Sequence, residues 1–298
     1  MAHIDYTNGH YDGVGNLIGI ELTASRDYDL TPIDGTKLVA ITQRNVAIVE
    51  AMIRNDSAYI RSNQPKAKII YKEVRGKQRS SLSATDWRER VLNDAPFIKY
   101  GGSTAYWMEK LKRYLLDGTS DEKYSYEEII FYAISAIDRE NSTHLNADGV
   151  GRMEITERIL EIPPQELTNY LKEPAKYDYN LIKIISKRTR PQSSGKKPRV
   201  NYSFATKFCH YACFYLFNGY SEQDNFSIFD SVMEKALIKY IKRYKLNYTK
   251  SDFKKYPLFL NAISEVISKS IATGEGTSVS RNGLDHLLWY YYKGRLGS

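Results

Sequence analysis

The stretch 201-NYSFATKFCHYACFYLFNGYSEQDNFSIFDSVMEK-235 contains two charged residues in apolar company. Lys207 stands among Phe204, Phe208, Tyr211 and Phe214, and Asp230 follows Phe226, Ile228 and Phe229. An amine withdrawn from water can attack an electrophilic carbon and form a Schiff base. A carboxylate beside it can stabilise a sugar oxocarbenium ion or activate water, as in glycoside cleavage. Each residue also has a structural alternative. Lys207 can send its amine to solvent along the helix surface. Asp230 can cap the helix that follows, although Ser231 with Glu234 reads as a capping box for the same helix. Asn218-Gly219 ends the first helix, and an antiparallel return would allow position 230 to approach its first turn.

The elements that must position these groups are read from periodicity. A helix is expected from Lys37, with Leu38, Ile41, Val46, Val49, Met52 and Ile53 near one face. One short strand is expected at Leu17 to Thr23 and another at 67–74, followed by a polar connector at 75–86 and a helix after Asp86. Further helices are expected from Ser103 to Leu116, after a Ser125–Glu128 capping box, at 151–161, 164–172, 179–187, 202–217, 231–244 and 257–272, and from Leu284. The fold class is therefore mainly α, with a small β element near the N-terminus. Residues 1–95 are expected to form an N-terminal accessory region and 96–298 a helical core.

Composition narrows the class of function. The chain has 298 residues, 42% hydrophobic and 26% charged, and a net charge of +8. That is a globular composition with room for a substantial core. No apolar run approaches the roughly 20 residues of a membrane span, and MAHIDYTNGHYDG lacks the pattern of a secretory signal. The two cysteines, Cys209 and Cys213, lie four apart on one helix, which is poor geometry for a disulfide, so a cytoplasmic setting is expected. Cys209, His210 and Cys213 do not converge on one point, and neither a metal nor a cofactor is expected.

The positive charge is concentrated. Between Lys183 and Arg199 there are seven cations and no acid: Lys183, Lys187, Arg188, Arg190, Lys196, Lys197 and Arg199. Pro191, Gly195 and Pro198 give this run the chemistry of a turn. A basic hairpin suits phosphate contact, so Arg188, Arg190, Lys196, Lys197 and Arg199 are the candidate DNA-binding residues; the alternative is a solvated loop. It lacks the apolar face that a membrane-surface helix needs. Two Asp-Gly-Val-Gly sequences, Asp12 to Gly15 and Asp148 to Gly151, read as turns or helix entries, and neither has the spacing of a phosphate loop.

The segment S-F-A-T-K-F-C-H, then F-S-I-F-D-S-V-M-E-K-A-L, resembles the signature of the 8-oxoguanine glycosylase-like branch of the helix-hairpin-helix DNA glycosylases. In that superfamily a lysine follows the hairpin at the start of a helix, and an aspartate about twenty residues later begins the next. Lys207 and Asp230 match these positions, and 281-RNGLDHLLWYYYKG-294 is similar to the Asp-x-x-Leu-Trp helix of the same branch. The resemblance spans residues 199–294. It departs from the family where a Leu-Pro-Gly-Val-Gly hairpin should precede the lysine, because PRVNYSFATK stands there instead. What the resemblance implies is a helix-hairpin-helix glycosylase-like fold and an enzyme that flips a damaged or modified base out of duplex DNA. Lys207 and Asp230 would be catalytic, with strand cleavage by a lyase step as an option. Phe208, Tyr211, His286 and Trp289 would wall the base pocket, although His286 and Trp289 also suit plain structural roles. DNA repair and defence against modified phage DNA both remain open, as do the oligomeric state and a non-catalytic DNA-binding alternative.

Overall fold

The computed structural model of the chain describes residues 9–11, 17–20, 30–49, 104–140, 145, 150–189 and 200–292. The expected strand at 67–74, the connector at 75–86, the helix after Asp86 and the turn at Asp12 to Gly15 lie outside these residues. The described protein is mainly helical. Strands β1 (Gly9–Tyr11) and β2 (Leu17–Ile20) form a two-stranded antiparallel sheet with an irregularity between His10 and Tyr11. Nine α-helices are described after it: α1 (Thr104–Leu116), α2 (Tyr126–Glu140), α3 (Val150–Leu160), α4 (Pro164–Lys172), α5 (Asn180–Ser186), α6 (Tyr202–Leu216), α7 (Ser231–Arg243), α8 (Tyr256–Ala272) and α9 (Arg281–Tyr292). Residues 43–49 are also helical, so the helix expected from Lys37 begins six residues later. Among the described residues no helix is long and apolar enough to cross a membrane.

The boundary expected at residue 95 lies outside the described residues, and the chain divides into two compact units. One unit combines residues 1–59 with 226–298, and the other is residues 60–225. The reason is a set of polar ties that join segments some 200 residues apart. The Tyr240 hydroxyl donates to the Val39 carbonyl at 2.7 Å and lies 3.1 Å from the Tyr292 hydroxyl. The Thr277 amide donates to the Ile41 carbonyl at 2.9 Å, and its hydroxyl accepts from the Gln43 amide at 2.8 Å. Glycine permits the close approach: a Cβ on Gly276 would stand 2.6 Å from the Ile41 carbonyl oxygen, and one on Gly283 would stand 2.7 Å from Val46 Cγ1.

Within the unit of residues 60–225, Trp107 on α1 is fully buried and stacks on Tyr132 of α2 at 4.7 Å, with Tyr124 edge-on at 5.0 Å. The Ser125–Glu128 capping box forms as its spacing requires: each backbone amide donates to the other's side chain, at 2.8 and 3.2 Å. Helix α3 begins at Val150, inside the second Asp-Gly-Val-Gly sequence, and so brings Arg152 onto the buried Asp138 of α2. Asp138 Oδ2 accepts from Arg152 at 2.8 and 2.7 Å, and its Oδ1 accepts from the Leu145 amide at 2.9 Å.

A buried, doubly hydrogen-bonded ion pair is costly to break from one side, because the remaining charge stays buried. Arg152→Met is therefore expected to lower unfolding stability by about 3–5 kcal/mol, measured by urea denaturation. Adding Asp138→Asn to it should recover part of that loss.

Candidate functional site

Lys207 belongs to the unit of residues 60–225 and Asp230 to the unit of residues 1–59 and 226–298, so each is built here from its own surroundings.

Helix α6, which carries Lys207, packs against α1, α2, α4 and α5. Its residues make this possible: Phe204, Ala205, Phe208, Cys209, Ala212, Cys213 and Leu216 are all buried, covering more than one face. Its start is fixed by Asn201, whose amide donates to the Ser186 carbonyl at 3.1 Å and whose side chain donates to Thr189 Oγ1 at 3.2 Å. Lys207 sits in the second turn and is only 6% exposed. The side chain is therefore packed within the unit rather than laid along an open helix surface. A buried ammonium is costly unless polar groups surround it, so this position is constrained chemically as well as sterically.

The other groups on α6 divide sharply. Phe208, expected in the wall of a base pocket, is fully buried, with its ring 6.5 Å from that of Phe204. It belongs to the core and offers no open face to a base, because its position on the helix points into the bundle rather than along its rim. Tyr211 is half-buried and meets His210 edge-on at 5.3 Å. His210 is fully buried and stacks parallel to Phe214 at 6.3 Å. Burial holds the Cys209 and Cys213 thiols well above their usual pKa, so both remain protonated at neutral pH. The Cys213 thiol donates to the Leu171 carbonyl at 3.4 Å. Among the described residues no group of three or more His, Cys, Asp or Glu side chains is arranged to hold a metal ion.

Asp230 is held at the mouth of α7 by a rigid approach. Phe226, Ser227 and Ile228 are buried, and the Tyr256 hydroxyl grips the Ser227 backbone from both sides, accepting from its amide at 2.8 Å and donating to its carbonyl at 2.9 Å. The Phe229 ring lies edge-on to Phe259 at 5.4 Å. The chain therefore arrives at α7 extended, with Asp230 at φ −144° and ψ −179°. Its Oδ1 accepts from the amides of Val232 and Met233, both at 2.9 Å. Asp230 is thus the cap, and the expected Ser231–Glu234 box is corrected. The first helical bond runs from the Glu234 amide to the Asp230 carbonyl, which places Ser231 inside the helix. His286 and Trp289, both half-buried, lie on α9 of this same unit. Asp285, immediately before His286, is a buried carboxylate, 3% exposed, that no spacing rule distinguishes from an outward-facing helical acid.

Of the candidate DNA-binding residues, Arg188 is exposed, and its carbonyl accepts from Arg158 at 2.8 Å. Arg190, Lys196, Lys197 and Arg199 lie outside the described residues. Lys183 forms an ion pair with Asp178. Compared with known proteins, the chain matches no family model, no curated protein and no solved structure.

Asparagine caps a helix about as well as aspartate, whereas alanine does not. Asp230→Ala is expected to cost about 1 kcal/mol of stability and Asp230→Asn close to none, read from thermal melts of the two variants. A loss of comparable size in Asp230→Asn would mean that the negative charge, rather than the cap bond, holds the helix start.

Proposed function

We propose that the chain is a DNA glycosylase that removes a damaged or modified base after flipping its nucleotide out of the duplex. The observation that carries this reading is the placement of the two motif residues. Lys207 is a buried lysine near the start of one long helix, and Asp230, 23 residues on, opens the next, in the order the glycosylase signature has. Asp230 stabilises the positive charge that grows at C1′ as the bond to the base lengthens. The Lys207 amine forms a bond to C1′ and gives up a proton, and the base departs with the electron pair of the broken C1′–N bond and takes up a proton in turn. Ring opening of the resulting adduct gives a Schiff base, from which the strand can be cleaved by elimination. Oxidised purines and modified bases of foreign DNA are both admissible substrates, and a helix-hairpin-helix arrangement and a cytoplasmic location belong to the same proposal.

A second reading is favoured by the cap geometry: the two amide bonds to Oδ1 already give the Asp230 carboxylate a structural occupation. On that reading the chain binds DNA without cutting a glycosidic bond.

Borohydride trapping on duplexes carrying a panel of lesions separates the two. The glycosylase reading expects a covalent adduct with the wild-type chain, none with Lys207→Gln, and base release slowed by about 10²-fold or more in Asp230→Asn. DNA binding with neither adduct nor abasic product across the panel would establish the non-catalytic alternative.

A further inference from the structure

Helix α7 and the segment after it hold a second basic region that the Lys183–Arg199 run conceals. Residues 231–255 contain eight cations against two carboxylates, a net +6 in a chain whose total is +8. Their arrangement is more informative than their number. The apolar side of α7 buries Met233, Ala236, Leu237, Tyr240 and Ile241. The opposite side presents Lys235, Lys239 and Lys242, all exposed. At 100° per residue these three fall within an arc of about 60° and span about 10 Å of helix axis.

Among the described residues nothing accounts for that stripe. Like charges three and four residues apart on a helix repel and destabilise it. The helix dipole favours cations only in the last turn, which covers Lys242 but not Lys235 or Lys239. Arg243 pairs with Glu275, yet among the described residues no carboxylate pairs with the three stripe lysines. Lys239 instead lies over the ring of Tyr292 at 4.9 Å, an arrangement that orients the ammonium without neutralising it.

We infer that this face of α7 is a phosphate-tracking surface for one strand of duplex DNA. The inference deepens the DNA-directed reading proposed above and rests on it. Successive phosphates of one strand advance about 3.4 Å along the duplex axis, so a row about 10 Å long reaches roughly three of them. Charge complementarity with no base-reading side chain on the stripe makes the contact independent of sequence. The surface does not fit a membrane. None of the large hydrophobic side chains exposed among the described residues falls within 231–255, so the helix has nothing to insert between lipids. The stripe lies on the helix that Asp230 caps, beginning five residues beyond it. Phosphates held here would fix the register of the strand relative to that carboxylate.

The test is the salt dependence of binding to a labelled random-sequence duplex of about 20 base pairs, by fluorescence anisotropy of the full chain from about 50 to 250 mM salt. The triple variant Lys235→Gln, Lys239→Gln, Lys242→Gln replaces exposed side chains only, and its far-ultraviolet circular dichroism should match wild type. Its slope of log affinity against log salt should be shallower by about 3, with a comparable loss on every duplex sequence. A wild-type chain that binds while the triple variant keeps both affinity and slope would overturn the stripe and leave the DNA-directed reading standing. A wild-type chain that fails to bind duplex at about 50 mM salt would overturn that reading itself, since phosphate contacts are strongest there. Lysine-dependent binding to phosphatidylserine vesicles, with none to duplex, would overturn both in favour of a lipid surface.

Discussion

The unit that carries Asp230 depends on satisfying the backbone of residues 31–42. Buried carbonyls and amides that lack partners are costly, and this segment pairs only some of them within itself, as in the Ile33–Leu38 and Ala40–Thr31 bonds. Asn45, fully buried, takes on part of this work: its amide nitrogen donates to the carbonyls of Thr31 and Ala40 at 2.9 and 2.8 Å, and its oxygen accepts from the Thr31 amide at 3.1 Å. Tyr240 and Thr277, far along the chain, add to it by donating to the Val39 and Ile41 carbonyls. Helices α7, α8 and α9 are thus completed by residues near the start of the chain. The same logic fixes Asp230, because Tyr256 of α8 holds the Ser227 backbone by two hydrogen bonds and thereby sets where α7 begins.

How much of this was legible depended on whether the signal was local. Helices α1 to α8 were readable within one or two residues, because apolar period, prolines and capping residues all lie inside each element. The Ser125–Glu128 box was readable for the same reason. The division of the chain was not, since the hydrogen bond between Tyr240 and Val39 spans 201 positions and leaves no trace in composition or periodicity. Two alternatives failed on a finer point. Asp230 and Ser231 are both good caps, and the choice was made by the direction from which residues 226–229 arrive. Phe208 and Tyr211 are both aromatic and three apart, yet one is core and the other half-buried.

Lys207 shows where periodicity stops helping. A helix with one buried face leaves its charged residues outside, so a lysine in an aromatic helix reads as amphipathic. Helix α6 is buried on ten of its fifteen residues, as expected for a central element. In such a helix, position no longer offers a charged side chain an easy route to water. Retaining a lysine there costs desolvation free energy that an apolar residue would not. The carboxylate at Asp230 bears no such cost, because helix capping rewards it. The two candidate residues therefore differ in kind: Asp230 caps a helix, and Lys207 is a charged side chain buried in a central one.

Charge distribution adds a constraint of a different order. The Lys183–Arg199 run carries +7 and residues 231–255 carry +6, so the remainder of the chain carries −5. A protein that used charge only for solubility would gain most by interspersing the signs, and like-charge clusters work against the helices that bear them. On α7 the alternation of buried and exposed positions hides the cluster, because lysines at 235, 239 and 242 are separated in sequence by Ala236, Leu237, Tyr240 and Ile241. Only the wound helix collects them on one side. The two basic segments flank the stretch that holds Lys207 and ends at Asp230, one before it and one after.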